Sequence, residues 1–192
     1  MNIKKPTNEF LDSMNLDSIT KYFKFFPEVV NGDKNYLIQR SGEEHYRLLS
    51  WFSTQFDNCQ ISEIGTCDGM GLLSLCYNQT NQVFSYDIMD YDRKHDVPPN
   101  GNRILCDQNF NFFEEVVKSK IIFYDAQHNG DEELFFLKKL IEMNYSGIII
   151  YDDIKLTENM RNFWNEAKKL TNVEDWSDLG HYEGTGVIFL NF

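Results

Sequence analysis

The chain has 192 residues, enough for one domain with a sizeable core and too few for two full ones. Hydrophobic residues at 42% and charged ones at 25% are ordinary for a globular protein, while 16 Phe and 10 Tyr make it rich in rings. Thirty acidic against 18 basic side chains give a net charge of −12, a field that repels phosphate backbones and excludes nucleic acid as the expected partner.

The one dense basic pair, Lys4-Lys5, is too short to reverse that field, and a compact cationic, aromatic or sugar-like small molecule tolerates it better. Cys59, Cys67, Cys76 and Cys106 lack both metal-ligand and secreted-scaffold spacing and read as buried reduced thiols. The first residues hold no apolar signal segment, and no apolar run reaches the roughly 18 residues of a membrane helix. A cytoplasmic protein with no membrane partner is expected.

In chain order, residues 8–30 place Phe10, Leu11, Met14, Leu16, Ile19, Tyr22, Phe23 and Phe26 at mixed helical spacing, predicting one or two short helices. Asn31-Gly32-Asp33 predicts a turn. Ser41 followed by Glu44 is a capping-box pattern before a helix His45–Phe56, whose inner side carries Leu48, Leu49, Phe52 and Phe56. Strands and helices then alternate. Gln60–Ile64 reads as a strand, followed by a glycine loop and a helix through Leu72, Leu73, Leu75 and Cys76; Val83–Asp87 and Arg103–Cys106 are further strands. A helix Phe110–Lys118 leads to the nearly continuous apolar strand Lys120–Asp125, and a helix Glu132–Met143 to another, Gly147–Asp152. Thr157 caps a helix with Glu158 in its first turn and Lys168-Lys169 in its last.

Val173–Leu179 and Val187–Phe192 read as two strands joined by residues 180–186, a link too short for a parallel crossover. Five βα units and a closing hairpin predict an α/β, Rossmann-like, three-layer α/β/α domain over residues 41–192. Its seven-stranded sheet is mostly parallel and ends in an antiparallel β-hairpin. Residues 1–40 form an N-terminal helical extension with three open placements: a lid over the site, an interface in a homodimer, or packing on the sheet.

The glycine loop is Gly65-x-x-x-Gly69-x-Gly71, preceded by Glu63, and not the G-x-G-x-x-G of a dinucleotide site. Glycine lets the backbone turn sharply and approach a ligand closely. Asp87 ends the second strand, where a carboxylate accepts both ribose hydroxyls of a nucleoside.

The stretch Glu63-Ile64-Gly65-Thr66-Cys67-Asp68-Gly69-Met70-Gly71-Leu72-Leu73-Ser74-Leu75 resembles the first motif of class I S-adenosylmethionine-dependent methyltransferases. It is nearest the small-molecule O-methyltransferases of the catechol, caffeoyl-CoA and macrocin types, and Val83–Ile88 is similar to their second motif. The resemblance spans residues 45–192. It implies S-adenosylmethionine as cofactor, with Glu63 and Gly65 beside its methionine part and Thr66, Cys67, Gly69 and Gly71 among the residues that bind it. Asp87 would hold the ribose, Asp107 and Gln108 would lie near the adenine, and Ile88 and Asp125 would also bind the cofactor.

Asp125 ends one buried strand and Asp152-Asp153 the next, so the three acids converge at the rim of the cofactor site. Carboxylates that close need a compensating cation or protons, and a hard divalent ion such as Mg²⁺ with oxygen ligands supplies one. Metal-dependent O-methyltransferases resemble this pattern in Asp125-Ala126-Gln127-His128 and Asp152-Asp153. The resemblance implies metal ligation by Asp125, Asp152 and Asp153, and His128 as the base that takes a proton from a small-molecule hydroxyl. Strand-end acids also serve as acceptors that order loops, and a lone His after a strand often only bonds its loop. His181, beside Gly184-Thr185-Gly186, is a second site candidate or a plain hairpin residue; His45 and His95 read as surface or packing residues. Two rival functions share the fold: an NAD(P)-dependent oxidoreductase, and a non-catalytic cofactor-binding or partner protein. Some relatives of this group are also linked to hydroxylation.

Overall fold

The computed structural model describes residues 3–24, 36–92, 94–107 and 111–191. The expected turn at Asn31-Gly32-Asp33, the apolar Phe26 and the adenine-side Gln108 lie outside the described residues.

Among the described residues, seven strands form one sheet: β1 (Gln60–Ile64), β2 (Gln82–Asp87), β3 (Gly101–Leu105), β4 (Ile121–Tyr124), β5 (Gly147–Tyr151), β6 (Val173–Asp175) and β7 (Gly186–Leu190). Their spatial order is β3-β2-β1-β4-β5-β7-β6, parallel through β5, with β7 antiparallel to both its neighbours. Alternation along the central strands fills both faces. Ile122 and Tyr124 of β4 and Ile149 and Tyr151 of β5 pack on one side, while Ile121, Phe123, Ile148 and Ile150 pack on the other. The first face is covered by α5 (Phe112–Val116), α6 (Asp131–Glu142) and α7 (Glu158–Leu170). The second is covered by α3 (Tyr46–Ser53) and α4 (Met70–Leu75). Thr157 caps α7 as expected, its hydroxyl accepting the Met160 N–H at 3.1 Å. Among the described residues, no helix is long and apolar enough to cross a membrane.

Several expectations change. Residues 88–100 connect β2 to β3 without a helix among the described residues, so four helices rather than five follow the parallel strands. Pro98-Pro99 disfavours a helix there, and the turn closes through the Gly101 N–H on the Pro98 carbonyl at 2.9 Å. The sixth strand stops at Asp175 instead of Leu179, because Trp176 turns inward and stacks on Phe52 with ring centroids 5.3 Å apart. Ser41 does not cap α3: its N–H donates to Asp12 Oδ1, and His45 occupies the cap position with no side-chain cap bond. Cys67 is exposed and Cys59 and Cys106 are half-buried, so only Cys76 matches the expectation of a buried thiol.

The N-terminal segment contains α1 (Asn8–Ser13), α2 (Asp17–Thr20) and a 3₁₀ turn at Tyr36–Ile38. Leu11 joins the core beside Leu48 and Leu49, and Leu37 packs on Met70 and Leu73. The Arg47 guanidinium fastens it, donating to the carbonyls of Gln39, Leu11, Met14 and Ile38.

Candidate functional site

Parallel register decides where the site lies. Tyr86, Ile64, Tyr124 and Tyr151 stand in one row across β2, β1, β4 and β5. One step beyond that row come Asp87, Gly65, Asp125 and Asp152. The carboxyl ends of the strands thus present three acids and the first glycine along a single rim, where an open α/β sheet binds its ligands.

A cavity of about 660 Å³ opens there. It runs from Asp87, Ile88 and Met89 past Gly65, Thr66 and Cys67 to Asp125 and His128. Glu63, Gly71 and Asp107 also line it, as do Tyr36 of the N-terminal segment and Tyr46 of α3. Every expected cofactor-side residue in the described chain except Gly69 borders this space. Gly69 instead caps α4 at φ +101°, with the Arg103 guanidinium pressed where a Cβ would stand.

Asp87 organises the loop. Its Oδ2 accepts the N–H groups of Thr66 at 2.8 Å and Cys67 at 3.1 Å, and its Oδ1 accepts that of Met89 at 2.9 Å. Under the loop a polar relay links the Thr66 hydroxyl to Ser85 at 2.6 Å and Ser85 to the Glu63 carboxyl. Arg103, which the sequence reading did not single out, donates to the Asp68 carbonyl, and its Nε is buried without a partner. His95 is a packing residue as expected: it accepts the Lys24 N–H at 3.0 Å and stacks on Phe23 at 4.6 Å.

Glu63 is 1% exposed, and burial pushes its carboxyl from 4.5 up to about 8, with the Ser85 hydroxyl opposing. The unfolded chain gives up this proton near 4.5 while the folded chain keeps it, so the neutral form's contribution is full below that pH. It is lost as pH rises through about 8. Glu63→Gln removes the dependence. In denaturant unfolding at a series of pH values, the variant should gain about 2 kcal/mol on the wild type between about pH 6 and pH 8. Parallel stability curves over that range would mean that the folded protein holds Glu63 ionised.

At the other end of the rim, histidines interleave with the acids. His128 Nε2 lies 3.2 Å from Asp125 Oδ1 and 3.8 Å from Asp153 Oδ2. His181 Nδ1 lies 3.2 Å from Asp153 Oδ1 and 4.0 Å from Asp152 Oδ1. His45 Nδ1 lies 3.2 Å from Asp152 Oδ1. Burial alone would lower the His128 and His45 imidazoles, but the Asp125 and Asp152 carboxylates outweigh it and push both up to about 9. The histidines hold Asp152 below the usual carboxylate range against its burial, whereas burial raises Asp125. Gln127, His128 and Asp153 have φ near +50°, a left-handed backbone that side chains adopt at a cost of about 1–2 kcal/mol each.

His45 belongs to this cluster and not to plain packing. The signal was present in the helical period: His45 stands three, four and seven residues before Leu48, Leu49 and Phe52, on the inward stripe. Asp125, Asp152 and Asp153 each face a histidine, and the three do not together form a set of ligand atoms within 4.8 Å of one another. Among the described residues, the sets whose ligand atoms lie within 4.8 Å of one another are His45–Asp152–His181 and Asp153–His181–Glu183.

No protein-family model matches the chain, and no curated protein matches it. Solved structures do. The SAH-bound methyltransferase PaMTH1 of Podospora anserina matches over 100% of both chains, with a TM-score of 0.57 at 12% identity. Cofactor-bound Rv0187 from MTB matches over 97% of this chain and 99% of its own, with a TM-score of 0.57 at 12% identity. The O-methyltransferase TomG from Streptomyces achromogenes, in complex with SAM, matches over 77% of this chain and 79% of its own; its TM-score is 0.53 at 12% identity. At such identity the likeness is one of fold.

Proposed function

Because the chain has the fold of the class I S-adenosylmethionine-dependent methyltransferases, we propose that it binds S-adenosylmethionine and transfers the methyl group to a small-molecule hydroxyl oxygen. The observation that carries this reading is the alignment of Gly65, Asp87 and Asp125 past one row of strand ends, around a cavity of about 660 Å³. That volume falls within the range of small-molecule sites.

The cofactor supplies an electrophilic methyl carbon on a sulfonium; the chain supplies placement and proton handling. Gly65 lets the loop lie close against the Asp125 strand end at the cavity wall, and Asp87 holds the loop and offers its carboxylate to the ribose side. Asp125 and His128 stand at the opposite end of the cavity, where the acceptor hydroxyl must lose its proton. Asp125 and Asp153 favour a protonated His128, so the ring can take that proton only when added positive charge offsets the carboxylates.

A divalent cation is the second element of the reading, held at the rim by Asp125, Asp152 and Asp153, where it would acidify a substrate hydroxyl. The residues fit a cation in charge, and the buried Oδ1 of Asp152 has no partner in hydrogen-bond geometry. An all-oxygen cage fits less well, because histidines face all three acids.

Calorimetry decides the cofactor. S-adenosylmethionine and S-adenosylhomocysteine should bind with one site per chain, and NAD(P) should not; the reverse result overturns the proposal. Cofactor binding without methyl transfer to any of a panel of hydroxylated small molecules would support the non-catalytic alternative. Full turnover in EDTA would remove the cation from the mechanism.

A further inference from the structure

The geometry points to a mixed-donor site in the acid–histidine cluster: His45, Asp152 and His181 together form a three-ligand site for a divalent first-row transition ion such as Zn²⁺. This rests on the side-chain arrangement and holds whether or not the chain transfers methyl groups. It differs from the all-carboxylate trio in using two imidazoles, with Asp152 common to both.

The three ligands come from separate parts of the chain: the start of α3, the end of β5 and the loop before β7. One donor atom from each lies within 4.8 Å of the others. The Asp152 Oδ1 atom is 3.2 Å from His45 Nδ1 and 4.0 Å from His181 Nδ1. Donors bound tetrahedrally at about 2.0–2.2 Å are separated by roughly 3.3–3.6 Å. The cluster therefore lies within small side-chain adjustments of a coordination sphere.

An independent observation points to a ligand. His45 is 3% exposed and Asp152 5% exposed; His45 Nδ1 and Asp152 Oδ1 stand 3.2 Å apart without hydrogen-bond geometry, and His45 Nε2 has no hydrogen-bond partner. Buried polar atoms are rarely left so, and His45 Nδ1 and Asp152 Oδ1 lie together at one place. A cation there would satisfy the carboxylate oxygen and one imidazole nitrogen together. The His45 ring is held for the purpose against Tyr46 at 4.4 Å and Phe123 at 5.1 Å, and it meets His181 edge-on at 5.9 Å.

Donor chemistry sets the class of ion. Imidazole nitrogen with one carboxylate suits zinc, iron or nickel, whereas Mg²⁺ prefers oxygen ligands in octahedral array. Three protein ligands also leave a coordination position for water or substrate, the pattern of a catalytic rather than a structural zinc site. Asp153 and Glu183 also gather around His181, with ligand atoms within 4.8 Å of one another, and add negative charge beside the site.

The test uses the full chain, stripped of metal by chelator and dialysis and then titrated with Zn²⁺, Co²⁺ and Mg²⁺. Zn²⁺ should bind with one ion per chain and raise the melting temperature, Co²⁺ should give visible ligand-field absorption, and Mg²⁺ should do neither at equal concentration. His181→Asn, in a loop, should weaken Zn²⁺ binding more than the roughly 10–100-fold that loss of an outer-shell partner costs. His45→Gln should do the same, and if it fails to fold, His181→Asn alone carries the test. Asp125→Asn should leave Zn²⁺ affinity within a few-fold. The proposal is overturned if Zn²⁺ binds no better than Mg²⁺. It is equally overturned if binding survives His181→Asn while Asp125→Asn abolishes it, the signature of the carboxylate trio. S-adenosylhomocysteine calorimetry on the same samples keeps the two readings apart: zinc without cofactor binding sinks methyl transfer alone, and cofactor without zinc sinks only this site.

Discussion

Gly65→Ala is expected to cost about 2–5 kcal/mol of folding stability and to abolish cofactor binding in whatever protein remains folded. Gly65 has φ +93°, where an L side chain is strained by about 1–2 kcal/mol. The added Cβ would also overlap the backbone carbonyl of Asp125. That carbonyl cannot swing away, because it belongs to the end of a central strand. The Asp125 N–H donates to Ile64 at 2.8 Å, and the Gly65 N–H donates to Tyr86 at 2.9 Å. Relief would pull apart the strand ends that hold the glycine loop and Asp125 together. Against a total stability of about 5–15 kcal/mol, that is a large share. Gly69→Ala is the internal control: it too has positive φ, +101°, but its Cβ would meet only the far end of the flexible Arg103 side chain. Denaturant midpoints should therefore fall further for Gly65→Ala than for Gly69→Ala. Equal or reversed losses would show that the Asp125 carbonyl is free to move.

The parallel part of this fold was legible because its signals are local. Buried strands such as β4 and β5 announce themselves as continuous apolar runs, and Thr157 with its acidic first turn and basic last turn marks α7. What escaped depends on contacts distant in sequence. Trp176 continues an apolar-looking strand, yet rings on α3 draw it inward and end β6 after Asp175. Ser41 and Glu44 carry the letters of a capping box, but the Ser41 amide is taken by Asp12, 29 residues earlier. No window around position 41 contains that competitor.

The candidate site divides in the same way. Glycine spacing and the strand-end acids are read from one strand each, and the register then places Asp87, Gly65, Asp125 and Asp152 along one rim. Pairings between elements are harder to read. His45 lies more than a hundred residues from Asp152, so only assembly of α3 on the sheet brings them to 3.2 Å. His181 meets both Asp152 and Asp153 because the loop before β7 folds back over the end of β5. Its glycines served equally well as hairpin residues, and nothing local distinguished the two uses.

Asp87→Ala should weaken S-adenosylhomocysteine binding by at least about 100-fold in calorimetry, by analogy with the loss of two charge-assisted hydrogen bonds worth about 1.5–3 kcal/mol each. The sequence suggested this carboxylate as a ribose acceptor, and the structure adds a second task. Oδ2 fixes the loop through the Thr66 and Cys67 amides, and Oδ1 holds the Met89 amide. Alanine removes both tasks, leaving the buried Thr66 amide without its acceptor and the cavity wall without its charge. Asp87→Asn separates them. Its single carbonyl oxygen can still accept the loop amides, but its NH₂ group would face the Met89 N–H and cannot accept from a hydroxyl. If the carboxylate receives ribose hydroxyls, Asn should lose affinity nearly as severely as Ala while losing less stability than Ala, since it keeps the acceptor for the Thr66 and Cys67 amides. If the loop is its whole purpose, Asn should bind within about 10-fold of wild type, since a neutral acceptor keeps roughly half the strength of a charged one. Unchanged affinity in Asp87→Ala would remove the residue from the cofactor site, and with it the reading of the cavity as a nucleoside pocket.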